Sequence, residues 1–164
     1  LGRLPREDDG VFLRTPVTRR LFFTLVSAYG LAYGLGSGAS MATSAPPWRV
    51  VVNQGNPMTV VERRFLADAF LKKTTRWPTG DGIRPVDQRE ESSVRQRFSD
   101  DVVGRSVAAV KNYWAQLVFS GRELPPPELE NDEEVVRFVA KNAGGVGYVS
   151  PAANVERVKV LTVR

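Results

Sequence analysis

Hydrophobic and polar positions along the chain alternate between two rhythms, and the change from one to the other sets the expected elements. Val50 to Val52 is an unbroken β-branched run that ends in Asn, Gly and Pro. Such a run reads as a short strand buried on both faces. Val60, Val61, Phe65, Leu66, Ala69 and Phe70 then recur at helical spacing, which predicts a helix over about 60–72. Thr59 and Glu62 stand three apart before it, the spacing of a capping box. "RWPTGDG" (76–82) is turn chemistry, and "IRPV" (83–86) is a short strand whose proline assigns it to an edge or a strand end.

The second half repeats the alternation. Val94, Phe98 and Val102 lie four apart and predict a helix over about 94–102, closed by Gly104. Ser106 is placed to cap a helix over about 107–119, and residues 120–130 read as loop. Asn131 with Glu134 marks a further capping box before a helix over about 133–141. Segments 146–149 and 157–163 read as the last strands. Strands alternating with helices predict an α/β fold of three layers, a small mixed sheet flanked by helices.

Residues 18–45, "TRRLFFTLVSAYGLAYGLGSGASMATSA", follow neither rhythm. Arg19 and Arg20 precede an uncharged, mostly apolar stretch from Leu21 to Leu35, and small residues follow. That order is an export signal, with cleavage after Ala42 or Ala45, and it implies a periplasmic or secreted product without a stable membrane span. "TRRLFF" is also similar to a twin-arginine signal; ordinary secretion and an internal core helix are the other readings. Residues 1–17 read as a disordered N-terminal extension, and 46–164 as the folded lobe.

Composition narrows the chemistry. Among 164 residues there is no Cys and no His. Disulfides, thiolate nucleophiles, Cys/His zinc sites and Ser-His triads are therefore excluded. No metal or cofactor is expected, and the chain reads as a non-enzyme. The net charge of +5 comes from 23 basic and 18 acidic residues. These are interleaved, so nucleic acid is not an expected partner. Trp77 and Trp114 read as core aromatics. Lys72, Lys73 and Arg76 complement a helix C-terminus. Asp100 and Asp101 are sequence neighbours and share no helix face, so they form no acid/base pair. "GGVG" (144–147) lacks the dinucleotide-binding pattern and reads as a turn.

The candidate site is "DQREESSVRQRF", residues 87–98. Ser92 and Ser93 open a helix, whose free N–H groups and partial positive charge favour an anion. A serine hydroxyl and the Arg95 fork would add donors. Glu90 and Glu91 oppose an anion there. The plainer reading makes Ser92 or Ser93 a helix cap worth about 1 kcal/mol.

Several segments in order resemble the phosphate-type periplasmic solute-binding proteins of ABC importers. "FLADAFLKKTTRW" (65–77) is similar to that family's helix ending in Lys-Ile-Thr-x-Trp. "SSVRQRF" (92–98) stands where the family has Ser-Gly-Thr-Arg-x-x-Phe, and "AGGVGYVS" (143–150) matches its Gly-x-Ile-Gly-Tyr-Val strand. The resemblance covers residues 50–163. It implies a binding-protein-like lobe that takes phosphate or a similar oxyanion weakly through Ser92, Ser93, Val94 and Arg95. Family members have two lobes, and this chain matches the second, with no segment left for the first. Ser93 replaces the family's glycine, Val94 its threonine, and Gln88 an arginine often found four residues before the first serine. The loss of those donors leaves a second expectation, a degenerate fold used as an interaction or sensory module with an envelope protein or by self-association.

Overall fold

The computed structural model describes residues 46–164. The disordered extension and the export signal expected over 1–45 lie outside these residues. Strand β1 (Arg49–Val52) runs through the middle of a five-stranded mixed sheet in the order β2-β7-β1-β6-β3. It pairs antiparallel with β6 (Gly145–Val149), Arg49 opposite Val149, and with β7 (Lys159–Val163), Val50 opposite Leu161. The parallel edges are β2 (Val60–Val61) on β7 and β3 (Arg84–Pro85) on β6. Pro85 has no N–H for a ladder, and its place on an edge strand satisfies that lack.

Helices cover both faces. Val50, Val52, Val146, Tyr148 and Leu161 face α1 (Arg63–Phe70), α2 (Ser93–Phe98) and a π-helical turn over Ser99–Val103. Val51 and Val149 face α4 (Asp132–Lys141), through Val135, Val136 and Val139. The continuous valine run is thus buried on both sides, as a strand between two helical layers must be. The three-layer α/β expectation is met. On the first face Phe98 lies flat against Tyr148, centroids 4.0 Å apart, and edge-on to Trp48 at 5.6 Å. Trp77 and Trp114 are both buried, as expected of core aromatics. Trp48 donates its indole N–H to Asp101 at 2.9 Å, so that carboxylate anchors a ring.

Four expectations are corrected. Thr59 and Glu62 form no capping box: Val60 and Val61 are claimed by the sheet edge, and the Thr59 carbonyl accepts from Thr162 N–H at 2.9 Å. Helix α1 therefore begins at Arg63, with Glu62 as an N-cap that makes no side-chain bond. It ends at Phe70, before Lys72, which takes a left-handed φ of 51°. The helix expected over 94–102 is α-helical only to Phe98 and then widens into the π turn, ended by Gly104 at φ 68°. The "loop" 120–130 contains β5 (Glu128–Leu129), which pairs parallel with β4 (Asp87–Gln88) in a separate two-stranded sheet. The glycine-rich turn is shorter than expected, because Gly145 already belongs to β6.

Other boundaries agree. Ser106 caps α3 (Val107–Phe119) by accepting from Ala109 N–H. Asn131 caps α4 by accepting from Glu134 N–H at 3.0 Å, while the Glu134 carboxylate reaches back to Glu130 N–H. Gly144 is fixed by close approach: a Cβ there would lie 1.8 Å from the Gly82 carbonyl oxygen. Among the described residues no helix is long and apolar enough to cross a membrane.

Candidate functional site

The site is assembled from β4, the start of α2, β5 and the first residue of α4. Ser92 is extended, and its hydroxyl accepts from Arg95 N–H at 3.3 Å as the N-cap of α2. The same hydroxyl donates to Gln88 Oε1 at 2.6 Å. Gln88 is buried and spends its amide on Asp132 Oδ1 at 2.8 Å and the Tyr148 carbonyl at 3.0 Å. Gln88 therefore ties β4 to α4 and β6, and holds the Ser92 hydroxyl inward.

Arg95 is 3% exposed and also turns inward. Nη1 donates to Glu128 at 2.7 Å and to the Gln88 carbonyl. Nη2 lies 3.3 Å from Asp87 Oδ2. Nε is buried with no partner among the described residues. Asp87 accepts in turn from Tyr148 O–H and from Gln88 N–H. Burial raises the Asp87 pKa, and the attraction of Arg95 offsets this only in part. Burial likewise raises Tyr148, helped by the neighbouring Asp87 charge. For Arg95, burial works against the charge, but Asp87 and Glu128 outweigh it and the guanidinium is held charged.

The five residues singled out in the sequence are thus brought together, in two different postures. Ser92, Gln88 and Arg95 form a polar network beneath the helix start. Ser93 is exposed and Val94 half-buried, and their N–H groups have no acceptor among the described residues. Above them the turn is charged: Lys111 on α3 pairs with Glu90 at 2.5 Å, and Arg89 pairs with Glu91 and Glu130. The bond to Lys111 holds the Glu90 carboxyl below its usual range.

Sequence reasoning missed Asp87, Glu128 and Tyr148. A signal for the first two was present. Arg95 lies three residues before Phe98, on the apolar face of its helix, and a buried arginine requires acidic partners. No cluster of residues able to hold a metal ion occurs among the described residues.

No family model and no curated protein matches the chain. Solved structures do. One, from Clostridium perfringens, is described as a phosphate ABC transporter substrate-binding protein and contains bound phosphate. It aligns at a TM-score of 0.57 and 16% identity over 71% of this chain and 44% of its own. An ABC-type phosphate transport receptor from Vibrio cholerae aligns at 0.53 and 20% identity, over 71% and 46%. PstS from Borrelia burgdorferi aligns at 0.56 and 12% identity, over 72% and 47%. The described residues share the fold of these phosphate-type binding proteins, and the chain spans less than half of the length of each.

Proposed function

We propose that this chain is an exported lobe of the solute-binding type that meets phosphate or a similar oxyanion weakly at the start of α2. The observation that carries the reading is the pair of free N–H groups of Ser93 and Val94, beside an exposed Ser93 hydroxyl, at a helix start in this fold. Bound phosphate in the Clostridium perfringens structure supports the choice of ligand. Ser92, Gln88 and Arg95 act as the frame that holds this turn. Three donors in open water, with Glu90 and Glu91 nearby, give a dissociation constant on the order of millimolar, because tight oxyanion sites need desolvation and many convergent donors.

The test uses the helix itself. Ser93 is the first residue of α2, and Ser92 before it is extended at ψ 120°. Proline is tolerated at that position and removes both the N–H and the hydroxyl. Phosphate titration followed by amide NMR should give saturable shifts at Ser93 and Val94, sulfate serving as control. Ser93→Pro should abolish them without lowering the melting temperature. A wild-type chain with no saturable shift at tens of millimolar phosphate, an order set by weak helix-terminus sites, sinks the reading.

A second reading has its own observation: the Ser92 hydroxyl proton and the Arg95 fork are both spent inside the protein. On that reading the fold serves as an interaction module in the envelope, and phosphate gives no response.

A further inference from the structure

The sheet is covered unevenly on its α4 side. Val160 on β7 is the register partner of Val51 on β1, so the two side chains point to the same face. Val51 is sealed under α4, whereas Val160 is 39% exposed, and Thr162 two residues on is exposed as well. Helix α4 thus stops short of this part of β7. A groove of about 430 Å³ runs along the open flank, bordered by Pro46, Trp48, Arg49, Arg63, Val160 and Thr162.

The charge of the groove has one sign. Arg49 and Arg63 border it, and no carboxylate does. Neither arginine belongs to an ion pair among the described residues. Arg63 is exposed and gives Nη1 to the Asp101 carbonyl at 2.6 Å. The Asp101 carboxylate is engaged by the Trp48 indole and does not line the groove. Arg49 is the sharper case, because it is half-buried. Its Nη2 donates to the Ala153 carbonyl at 2.5 Å and the Ser150 carbonyl at 3.4 Å, and Nη1 makes no bond. Nε is enclosed without an acceptor. A guanidinium drawn out of water normally has a carboxylate beside it. Arg95, the other inward-turned arginine, has two. Arg49 has none among the described residues, so an anion in the groove supplies a counter-charge that the fold does not.

The walls decide the kind of anion. Apart from the two arginines and Thr162, the lining is apolar: Pro46, Trp48, and the valines and leucine of β1 and β7. An inorganic oxyanion would use the arginines and leave those walls wet. A ligand with a carboxylate head and an aliphatic body uses both, and the groove has the volume of a small-molecule site.

We propose that this groove binds an amphipathic organic carboxylate, its head on Arg49 and Arg63 and its aliphatic body along Val160 and Pro46. This does not rest on oxyanion binding at Ser93.

The full chain should be titrated with octanoate and followed by amide NMR, with acetate and octanol as controls. Saturable shifts are expected at Arg49, Val160 and Thr162. Acetate carries the charge alone and octanol the tail alone, so each should bind at least about tenfold more weakly, the usual loss when a charged hydrogen bond or a comparable apolar contact is removed. Arg49→Gln should weaken octanoate by a similar factor. Because Arg49 also holds the 150–153 turn, its variant is paired with a second. Val160→Glu places a negative charge at an exposed position in the groove, and should abolish the shifts while leaving the melting curve unchanged. A wild-type chain without saturable shifts at about 3 mM octanoate, the weak end of specific binding, overturns the proposal. So does octanol or acetate binding as tightly as octanoate, or octanoate binding that Val160→Glu leaves intact.

Discussion

Replacing Arg95 separates a structural role for this residue from a ligand-binding one. Its guanidinium is the positive centre of a cluster containing Asp87, Glu128 and the Gln88 carbonyl. Arg95→Met keeps most of the apolar stem and removes the charge. Asp87 is then left buried with only Tyr148 and Gln88 as donors. Breaking a buried pair in this way costs about 3–5 kcal/mol. An unfolding unit of roughly 120 residues has an entropy of about 0.25 kcal/mol/K, so the loss lowers the melting temperature by about 12–20 °C. Glu128 is half-exposed and recovers water, which places the result toward the lower end. Adding Asp87→Asn removes the stranded charge and should restore at least about half of the loss, since a neutral replacement of both partners is far less costly than removing one. Thermal melts by circular dichroism on the wild type, both single variants and the double variant complete the cycle. A melting temperature for Arg95→Met within about 3 °C of wild type, below 1 kcal/mol by the same conversion, would refute the cluster as the anchor of the site. A double variant no better than Arg95→Met would refute the stranded charge as the cause.

Two further outcomes follow from the same network. Ser92→Ala removes the cap of α2 and the proton donated to Gln88, and should cost about 1–2 kcal/mol in urea unfolding, whereas Ser93→Ala should change stability by less than about 0.5 kcal/mol. The pH profile has a definite sign. Folded Asp87 holds its proton to higher pH than the ordinary value of 3.8, so stability falls as pH rises from that value through the raised one, and Asp87→Asn should flatten this limb. Folded Tyr148 holds its proton above the ordinary 10.0, so stability falls again at alkaline pH beyond that value, a loss that Tyr148→Phe should remove from melting curves.

The sequence was legible where local chemistry decided the structure. Val50 to Val52 made a strand because no other element buries three successive β-branched residues on both faces. Ser106 and Asn131 capped helices because a side-chain oxygen beside a free N–H group needs no distant partner. Val60 and Val61 were misread for the opposite reason. Their helical periodicity with Phe65 and Phe70 was real, but β7, about a hundred residues on, offered backbone partners that periodicity does not record. The two-residue strand β5 was hidden likewise, inside a proline-rich stretch. At the site, the sequence located the helix start and its serine cap. It did not give the direction of the Arg95 side chain, which is set by Asp87 beside it in space and Glu128 from another element.

The two outer strands of the sheet have a consequence for the limits of assembly. Strands β2 and β3 are each two residues long, and β3 contains Pro85. Edges so short offer little open backbone for another chain to extend the ladder. Growth into filaments by strand addition is blocked at both ends of the sheet. A surface that does recruit another protein must then do so through side chains, because the sheet holds out no edge long enough to share.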